Sequence, residues 1–246
     1  MVLIKAIPFA LPIEEGDILK RRAAILSELL MIDEGFCSIP VSNIQSETLS
    51  RMLALYDVQF FGGWIRKKYP SLSVTLSSRL TSSAGKFLCR KGPFGRITQA
   101  EIRMSSDILL RLDKGPFELN GLSVATAQEA FLVVFEHELC HAAEMVLYGS
   151  TGHSQRFLAL ARGLFGHTAT RHKLPTRRQE AVSSSLIVGG RASFPYQGQT
   201  ITGTITYIGK SATVMVPSKG GEYRDSRGRR YTKHRVPPEK LTPESK

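Results

Sequence analysis

Residues 126–149 read TAQEAFLVVFEHELCHAAEMVLYG, and they contain the pentapeptide HELCH at positions 137–141. The stretch is rich in alanine and has no glycine or proline before Gly149, so it predicts a helix from about Thr126 to Leu147. Residues that are four apart on a helix face the same side. The two histidines of HELCH therefore lie one turn apart, and both imidazoles can reach one metal ion.

This pentapeptide is typical of zinc-dependent hydrolases. His137 and His141 are predicted as zinc ligands, because zinc accepts imidazole nitrogens at about 2.0–2.1 Å. Glu138 adjoins the first ligand and is predicted as the general base, which takes a proton from water that zinc activates and passes it to the leaving amine. The competing interpretation is a pair of surface histidines that flank an ion-paired glutamate.

A catalytic zinc needs a third protein ligand. Leu147 occupies the position six residues after the second histidine, and residues 145–179 contain no Asp or Glu, which leaves the later histidines as candidates. His153 is favoured because it comes first after a glycine-containing turn and precedes an apolar helix. His167 and His172 are the alternatives. We therefore expect one zinc ion per chain.

Other segments predict a mixed arrangement of helices and strands around the long helix. Apolar spacing predicts helices over residues 16–31, from near Ser46, from Ser105 or Ser106 through Leu112, and over residues 154–164. Alternation of apolar and polar residues predicts strands at 71–80, 85–90 and 97–104.

The charge of the chain is concentrated in its last third. Residues 1–166 hold 18 basic and 16 acidic side chains, a net charge of +2, whereas residues 167–246 hold 15 and 5, a net charge of +10. Such asymmetry predicts a polyanionic partner, most often nucleic acid. A merely solvated basic tail is the alternative interpretation.

The basic third begins with a polar stretch, residues 167–185, which is predicted as a linker. From Leu186 onward apolar residues alternate between turns, which predicts a small antiparallel sheet that bends into a barrel. Cations there would hold phosphates, and Tyr223 and Tyr231 would stack on exposed bases. The candidate nucleic-acid-binding cations are Arg224, Arg227, Arg229, Arg230, Lys233 and Arg235.

Several classes of protein are excluded by composition. The 246 residues hold three cysteines without a C-x-x-C pair, which argues against a disulfide scaffold and a cysteine-built zinc ribbon. No apolar stretch is long enough for a transmembrane helix. The apolar first twelve residues lead into Glu14 and Glu15 without a basic start or a cleavage site, so we expect a cytoplasmic protein that is neither secreted nor membrane-bound. Cys140 is expected to be a buried apolar residue.

The sequence also resembles a known family. HELCH, followed by Gly-His153-Ser-Gln-Arg-Phe, is similar to the motif of SprT-like zinc metalloproteases, which include the Spartan proteases of DNA–protein crosslinks. Three upstream segments resemble the family in the same order: LYDVQFF at 55–61, SSRLTSSAG at 77–85 and IRMS at 102–105. The resemblance covers about residues 45–165. Ser154 stands where the family usually has a second glycine, and no four-cysteine zinc ribbon follows.

The resemblance implies a compact α+β protease domain in which three histidines hold zinc and a glutamate is the base. Carried over to this sequence, the ligands are His137, His141 and His153, and the base is Glu138. The predicted fold class is α+β, a zincin-type domain followed by a small all-β barrel-like domain. The predicted divisions are an N-terminal helical extension at 1–44, the SprT-like domain at 45–166, the linker at 167–185 and a basic SH3- or KOW-like barrel at 186–246.

The leading hypothesis is a zinc endopeptidase that acts on proteins associated with DNA or crosslinked to it. One alternative is a metallopeptidase whose C-terminal module recognises protein instead of DNA. A second alternative is a non-catalytic nucleic-acid-binding protein with a structural zinc. Glu138 argues against the last reading, because a structural site has no need of a base.

Overall fold

The structure is a computed structural model. It describes residues 9, 11–38, 40–41, 43–93, 97–112, 115–170, 174, 186–209 and 211–244. The chain divides into two compact units, Met1–Leu174 and Pro175–Lys246. Within the described residues, no helix combines the length and the apolar character that crossing a membrane requires.

The first unit combines helices with short strands. Its helices are α1 (Glu15–Ile32), α2 (Glu34–Cys37), α3 (Ser46–Phe61), α4 (Trp64–Lys68), α5 (Ser106–Leu109), α6 (Ala127–Tyr148) and α7 (Gln155–Phe165). Its strands are β1 (Ser73–Ser77), β2 (Gly85–Lys91), β3 (Ile97–Ser105), β4 (Phe117–Leu119) and β5 (Leu122–Val124).

Helix α6 runs through the core of the first unit. It begins with a capping box, in which the side chains of Thr126 and Glu129 each accept a hydrogen bond from the other residue's backbone N–H. It ends at Gly149, whose φ of 75° is one that glycine adopts without strain. Most of its side chains between these ends are buried, including those of Glu136, His137 and Glu138. A helix that is buried on nearly all sides needs an apolar sequence, and FLVVF at 131–135 supplies it.

A three-stranded sheet lies against this helix. The strand order is β1-β3-β2, with β1 parallel to β3 and β2 antiparallel to it. Strand β2 is therefore an edge strand, and it packs against α6. A Cβ atom on Gly85, the first residue of β2, would lie 2.8 Å from the side chain of Glu138. The lack of a side chain at Gly85 thus lets the edge strand approach the helix closely.

Helix α1 belongs to the same core. Its buried residues Ile18, Ile25 and Leu29 join the apolar cluster that also contains Phe135 of α6. The helical extension predicted for residues 1–44 is therefore not a separate unit in the structure.

The first unit also extends further along the chain than the sequence suggests. His167 is fully buried, the amide of Thr168 donates to the carbonyl of Asn120 at 2.9 Å, and Leu174 joins the apolar core. The predicted linker therefore begins too early, because these residues have distant partners that a local polar pattern does not reveal. Residues 175–185 of the predicted linker lie outside the described residues.

In the described part of the second unit, the regular elements are strands and a short 3₁₀ helix at Pro238–Lys240. Its strands are β6 (Arg191–Tyr196), β7 (Gln199–Tyr207), β8 (Ala212–Pro217), β9 (Tyr223–Arg224), β10 (Arg230–Val236) and β11 (Thr242–Pro243). They form one antiparallel sheet in the order β11-β6-β7-β8-β10-β9. Although β7 and β8 separate β6 from β10, the rings of Phe194 and His234 lie 5.4 Å apart. The sheet is therefore curled on itself.

The predicted fold class, mixed helix and strand with a separate all-strand C-terminal sheet, is confirmed. The short helix expected through Leu112 instead ends at Leu109, and the strand expected at 71–80 occupies only Ser73–Ser77. The sequence does not predict α2 or α4, because elements of four or five residues are too short to show a helical period.

Candidate metal centre

Three histidines meet beside the middle of α6. His137 and His141 lie one turn apart, with ring centroids separated by 4.8 Å. His153 comes from the segment between α6 and α7, and its Nε2 atom lies 3.0 Å from Nε2 of His137. One potential ligand atom from each of the three lies within 4.8 Å of the other two. The structure thus brings together the three histidines that the sequence suggests as ligands.

Phe157 forms an apolar wall against this cluster. Its ring is fully buried, and its centroid lies 4.8, 4.4 and 5.2 Å from the rings of His137, His141 and His153. Phe157 is placed by the first turn of α7, where the hydroxyl of Ser154 accepts a hydrogen bond from its backbone N–H. The residue that departs from the usual glycine therefore serves as the N-cap of α7.

Glu144 fixes the segment that carries the third histidine. Its buried carboxylate accepts hydrogen bonds from the backbone N–H of Gly152 at 2.9 Å and from the hydroxyl of Ser154 at 3.2 Å. These two residues flank His153 on either side. Glu144 is thus a positioning residue that the sequence does not predict. The feature that could have indicated it is its position three residues after His141, close to the same face of the helix.

Glu138 lies beside His137 on α6, with only 3% of its surface exposed. Its carboxylate is close to Gly85 and accepts a hydrogen bond from the backbone of Phe87, so the edge strand β2 borders it. Burial raises the pKa of Glu138 to about 8, and the hydrogen bond from Phe87 opposes this effect only in part. The predicted base is therefore a buried carboxyl with little polar compensation.

The other titratable groups of the pentapeptide have shifted pKa values as well. Burial, and then the charge of the nearby His153, lower the pKa of His141 to about 4, which favours the neutral imidazole that metals bind. Burial, and then the neighbouring carboxylates, raise the pKa of the Cys140 thiol well above its usual range. Cys140 is completely buried, so the expectation of an apolar cysteine is confirmed.

The three histidines fit a zinc ion in both chemistry and spacing. With Zn–N distances of 2.0–2.1 Å, two ligand nitrogens of a tetrahedral site lie about 3.3 Å apart. The Nε2 atoms of His137 and His153 are separated by 3.0 Å, close to that value. Three imidazole nitrogen donors from one helix and the following segment also match the ligand number of a catalytic site, which keeps its fourth position open.

Comparison with known families supports the same interpretation. The model of the SprT-like family matches residues 49–178, which is more than half of the chain. The chain belongs to the SprT-like family. SprT-like domains are zinc-associated and metalloprotease-like, and all three histidines lie within the matched range. A search of curated proteins finds no match.

A second buried polar cluster in this SprT-like domain lies around Glu136. The guanidinium of Arg22 donates to both carboxylate oxygens of Glu136, at 2.7 and 2.8 Å. The hydroxyl of Tyr56 lies 2.8 Å and Nε2 of His167 lies 2.9 Å from the same carboxylate. Although burial alone raises the pKa of Glu136, the charge of Arg22 and the hydrogen bonds from His167 and Arg22 together lower it.

This second cluster shows that the two candidate third ligands among the described residues have different surroundings. Nε2 of His167 is hydrogen-bonded to the carboxylate of Glu136, and its Nδ1 atom lies 3.4 Å from the side-chain nitrogen of Asn120. His153, in contrast, lies against His137 and His141. His172, the other alternative, lies outside the described residues.

The six candidate cations of the C-terminal unit do not share one face. Successive residues of a strand lie on opposite sides of the sheet. On β10, Lys233 and Arg235 therefore lie on the side opposite to the buried Val236, whereas Arg230 lies on the same side as Val236. Arg230 pairs with Arg224 of β9. Arg227 lies in the turn between β9 and β10.

Arg229 lies in the same turn and is partly neutralised. Its side chain forms an ion pair with Asp225 at 2.8 Å, and the hydroxyl of Tyr231 donates to the same carboxylate. The six candidate cations of this SprT-like chain are therefore spread over two sides of the C-terminal sheet and one turn.

Proposed function

We propose that this chain is a zinc-dependent endopeptidase that hydrolyses peptide bonds. The observation that carries this proposal is the convergence of His137, His141 and His153, with the buried Glu138 next to the first of them on α6. Membership of the SprT-like family supports the same reaction class.

In this proposal the three histidines would hold the zinc ion, which supplies the Lewis acidity that activates water and polarises a carbonyl. Glu138 takes the proton from the attacking water and later delivers it to the leaving amine. The ring of Phe157 and the buried apolar side chains of α6 keep bulk water away from one side of the histidines.

The edge strand β2 offers a place for the substrate backbone. An edge strand presents N–H and C=O groups with which an extended peptide can pair. Because the carboxylate of Glu138 borders Gly85 and Phe87 of this strand, a peptide aligned along β2 would pass beside the proposed base. This arrangement supports an endopeptidase, since an extended peptide that pairs with an edge strand can be bound in its middle.

We further propose that the substrates are proteins associated with DNA, and that the second unit supplies the DNA contacts. The supporting observation is the charge of that unit: residues 175–246 hold 13 basic and 5 acidic side chains, a net charge of +8. Exposed cations contribute sequence-independent phosphate contacts. The exposed members of the candidate set include Arg224, Arg227, Lys233 and Arg235.

A second candidate is a metallopeptidase whose C-terminal unit recognises protein. The division of the cations between two sides of the sheet favours it, because a duplex contacts one continuous surface. Small curled sheets bind proteins as well as nucleic acids, so the fold does not choose between them.

One assay tests the proposal. Purified full-length protein is incubated with a basic DNA-binding protein, with and without DNA, and the products are followed by gel electrophoresis and mass spectrometry. We expect cleavage that DNA stimulates, that a chelator abolishes and that added zinc restores. His153→Ala should be inactive in every condition. Chelator-insensitive cleavage would contradict the metallopeptidase proposal, and equal cleavage with and without DNA would support the protein-recognition candidate.

A further inference from the structure

The C-terminal unit contains a groove where its curled sheet meets itself. The groove has a volume of about 500 Å³, within the usual range of ligand-binding pockets. The side chains that matter for its chemistry are Tyr196, Glu222, Tyr223, Lys233, His234 and Arg235. They come from β6 on one side and from β9, β10 and the preceding turn on the other, so we call this site the seam groove.

Two tyrosines in the seam groove are unusually exposed. Tyr196 is 44% exposed and Tyr223 is 43% exposed, although both belong to strands. The ring of His234 meets Tyr196 edge-on at a centroid distance of 4.7 Å. The ammonium group of Lys233 lies 5.7 Å from the ring centroid of Tyr223. Each tyrosine is thus held by a neighbour and still offers aromatic surface to a ligand.

The charge of the seam groove selects the sign of its ligand. Lys233 and Arg235 carry two positive charges there, against the single carboxylate of Glu222 among the described lining residues. A ligand that combines planar rings with negative charge satisfies both features, because bases stack on aromatic faces and phosphates pair with cations. In a duplex the bases remain stacked inside, and only the backbone reaches such a groove.

We propose that the seam groove binds an unpaired nucleotide of a single-stranded nucleic acid, with a base on Tyr223 and phosphates near Lys233 and Arg235. This inference deepens the proposed DNA-directed function and rests on it. It adds a selectivity that charge alone does not give, since phosphate contacts hold single strands and duplexes alike.

Fluorescence anisotropy on the full-length protein tests this inference. The probes are a labelled oligothymidylate of about 15 nucleotides, in the range of known single-strand sites, and a duplex of the same length. Tyr223→Ala should weaken single-strand binding roughly tenfold or more, whereas Tyr223→Phe should retain it because the aromatic face remains. Duplex binding should change little. The matched control is Tyr207→Ala, since Tyr207 is also an exposed strand tyrosine of this unit but does not line the groove.

The salt dependence separates the cations from the ring. Replacing Lys233 and Arg235 together by alanine should reduce the log–log salt slope for the single strand by about 1.4, if each contacts one phosphate. Tyr223→Ala should leave that slope unchanged.

Equal loss of single-strand and duplex binding in Tyr223→Ala, or an equal loss in Tyr207→Ala, would overturn the inference. The lack of any single-strand binding by the unaltered protein at low salt would also overturn it and would favour a protein ligand. Cleavage of an unstructured peptide without DNA is measured in parallel. Unchanged peptide cleavage in the groove variants shows that the peptidase site and the groove are separate. If the unaltered protein binds single strands selectively but does not cleave the peptide, that result contradicts only the peptidase proposal.

Discussion

Glu136 and Glu138 are two buried carboxylates on the same helix, and their surroundings differ in almost every respect. Glu136 is completely buried but has Arg22, Tyr56 and His167 as partners, and its pKa is lowered. Glu138 borders a glycine and has a backbone hydrogen bond from Phe87, and burial raises its pKa to about 8.

The difference shows how one helix can combine structural and chemical roles. A buried carboxylate whose oxygens are all paired holds elements together, because moving it would leave an uncompensated charge. A buried carboxyl with few polar partners is costly to keep, and such groups concentrate where chemistry is done. The side of α6 that carries Glu138 also carries His137 and His141, and His153 lies against these two. The side that carries Glu136 connects α1, α3 and the segment after α7.

The largest expected effect separates the two carboxylates by activity. Glu138→Gln should lower peptide hydrolysis by roughly 100- to 10,000-fold, because the amide has nearly the same shape but cannot accept the proton. Zinc content and thermal unfolding should remain as in the unaltered protein. The measurements are initial rates, metal analysis and a melting curve, with the exposed Glu47→Gln as the matched control. Near-normal turnover would remove Glu138 as the base.

The second prediction addresses the structural side of the comparison. Arg22→Met should lower the free energy of unfolding by about 3–5 kcal/mol, because it leaves the charge of Glu136 buried without its main partner. The control is Arg51→Met, which removes a half-exposed ion pair with Glu28 and should cost at most about 1 kcal/mol. Denaturant titrations measure both. Equal destabilisation by the two variants would refute a special role for the Glu136 cluster.

A third prediction concerns the close approach of β2 to the base. Gly85→Ala places a Cβ atom 2.8 Å from both Cγ and Oε1 of Glu138, so the carboxylate must move. Misplacing a catalytic group by about 1 Å can lower the rate by up to about 100-fold. Gly16→Ala is the control, because a Cβ atom there meets nothing within 4 Å. A kcat for Gly85→Ala that equals the control value would show that the gap at Gly85 is unimportant.

The smallest effect is expected at the segment that carries His153. Glu144→Ala should weaken zinc binding by about 10- to 100-fold, as is typical when a group that orients a metal ligand is lost. Glu144→Gln should restore much of it, since its amide can present oxygen to the N–H of Gly152 and nitrogen to the hydroxyl of Ser154. Competition with a chromophoric chelator gives the zinc affinity. If Glu144→Ala binds zinc normally while folded, the positioning role fails.

Local patterns predict the parts of this protein that depend on neighbours in sequence. The extent of α6 follows from its apolar run and its terminal glycine, and the pairing of His137 with His141 follows from helical spacing. The β4–β5 hairpin is not among the strands predicted from the sequence, although its turn has a local signal, the dipeptide Asn120-Gly121, whose residues have positive φ values of 53° and 78°. Asn-Gly is the dipeptide that such turns favour.

Long-range partners have no such signal. Arg22 and Glu136 are 114 residues apart, and nothing in the composition around either residue points to the other. His167 shows the same limit: its polar neighbourhood is typical of a linker, yet its ring is buried against Glu136. Among the later histidines, the sequence favours His153 only because it is the first one after the turn.

The contact between Arg22 and Glu136 has a practical consequence for cutting the chain into fragments. The matched family range begins at residue 49, so a recombinant fragment chosen by that boundary would lack α1. It would uncover the apolar surface that Ile18, Ile25 and Leu29 protect, and it would leave a carboxylate in the interior without its guanidinium. A fragment that starts before α1 and ends after Leu174 keeps both, and is the natural choice for expressing the protease-like unit alone.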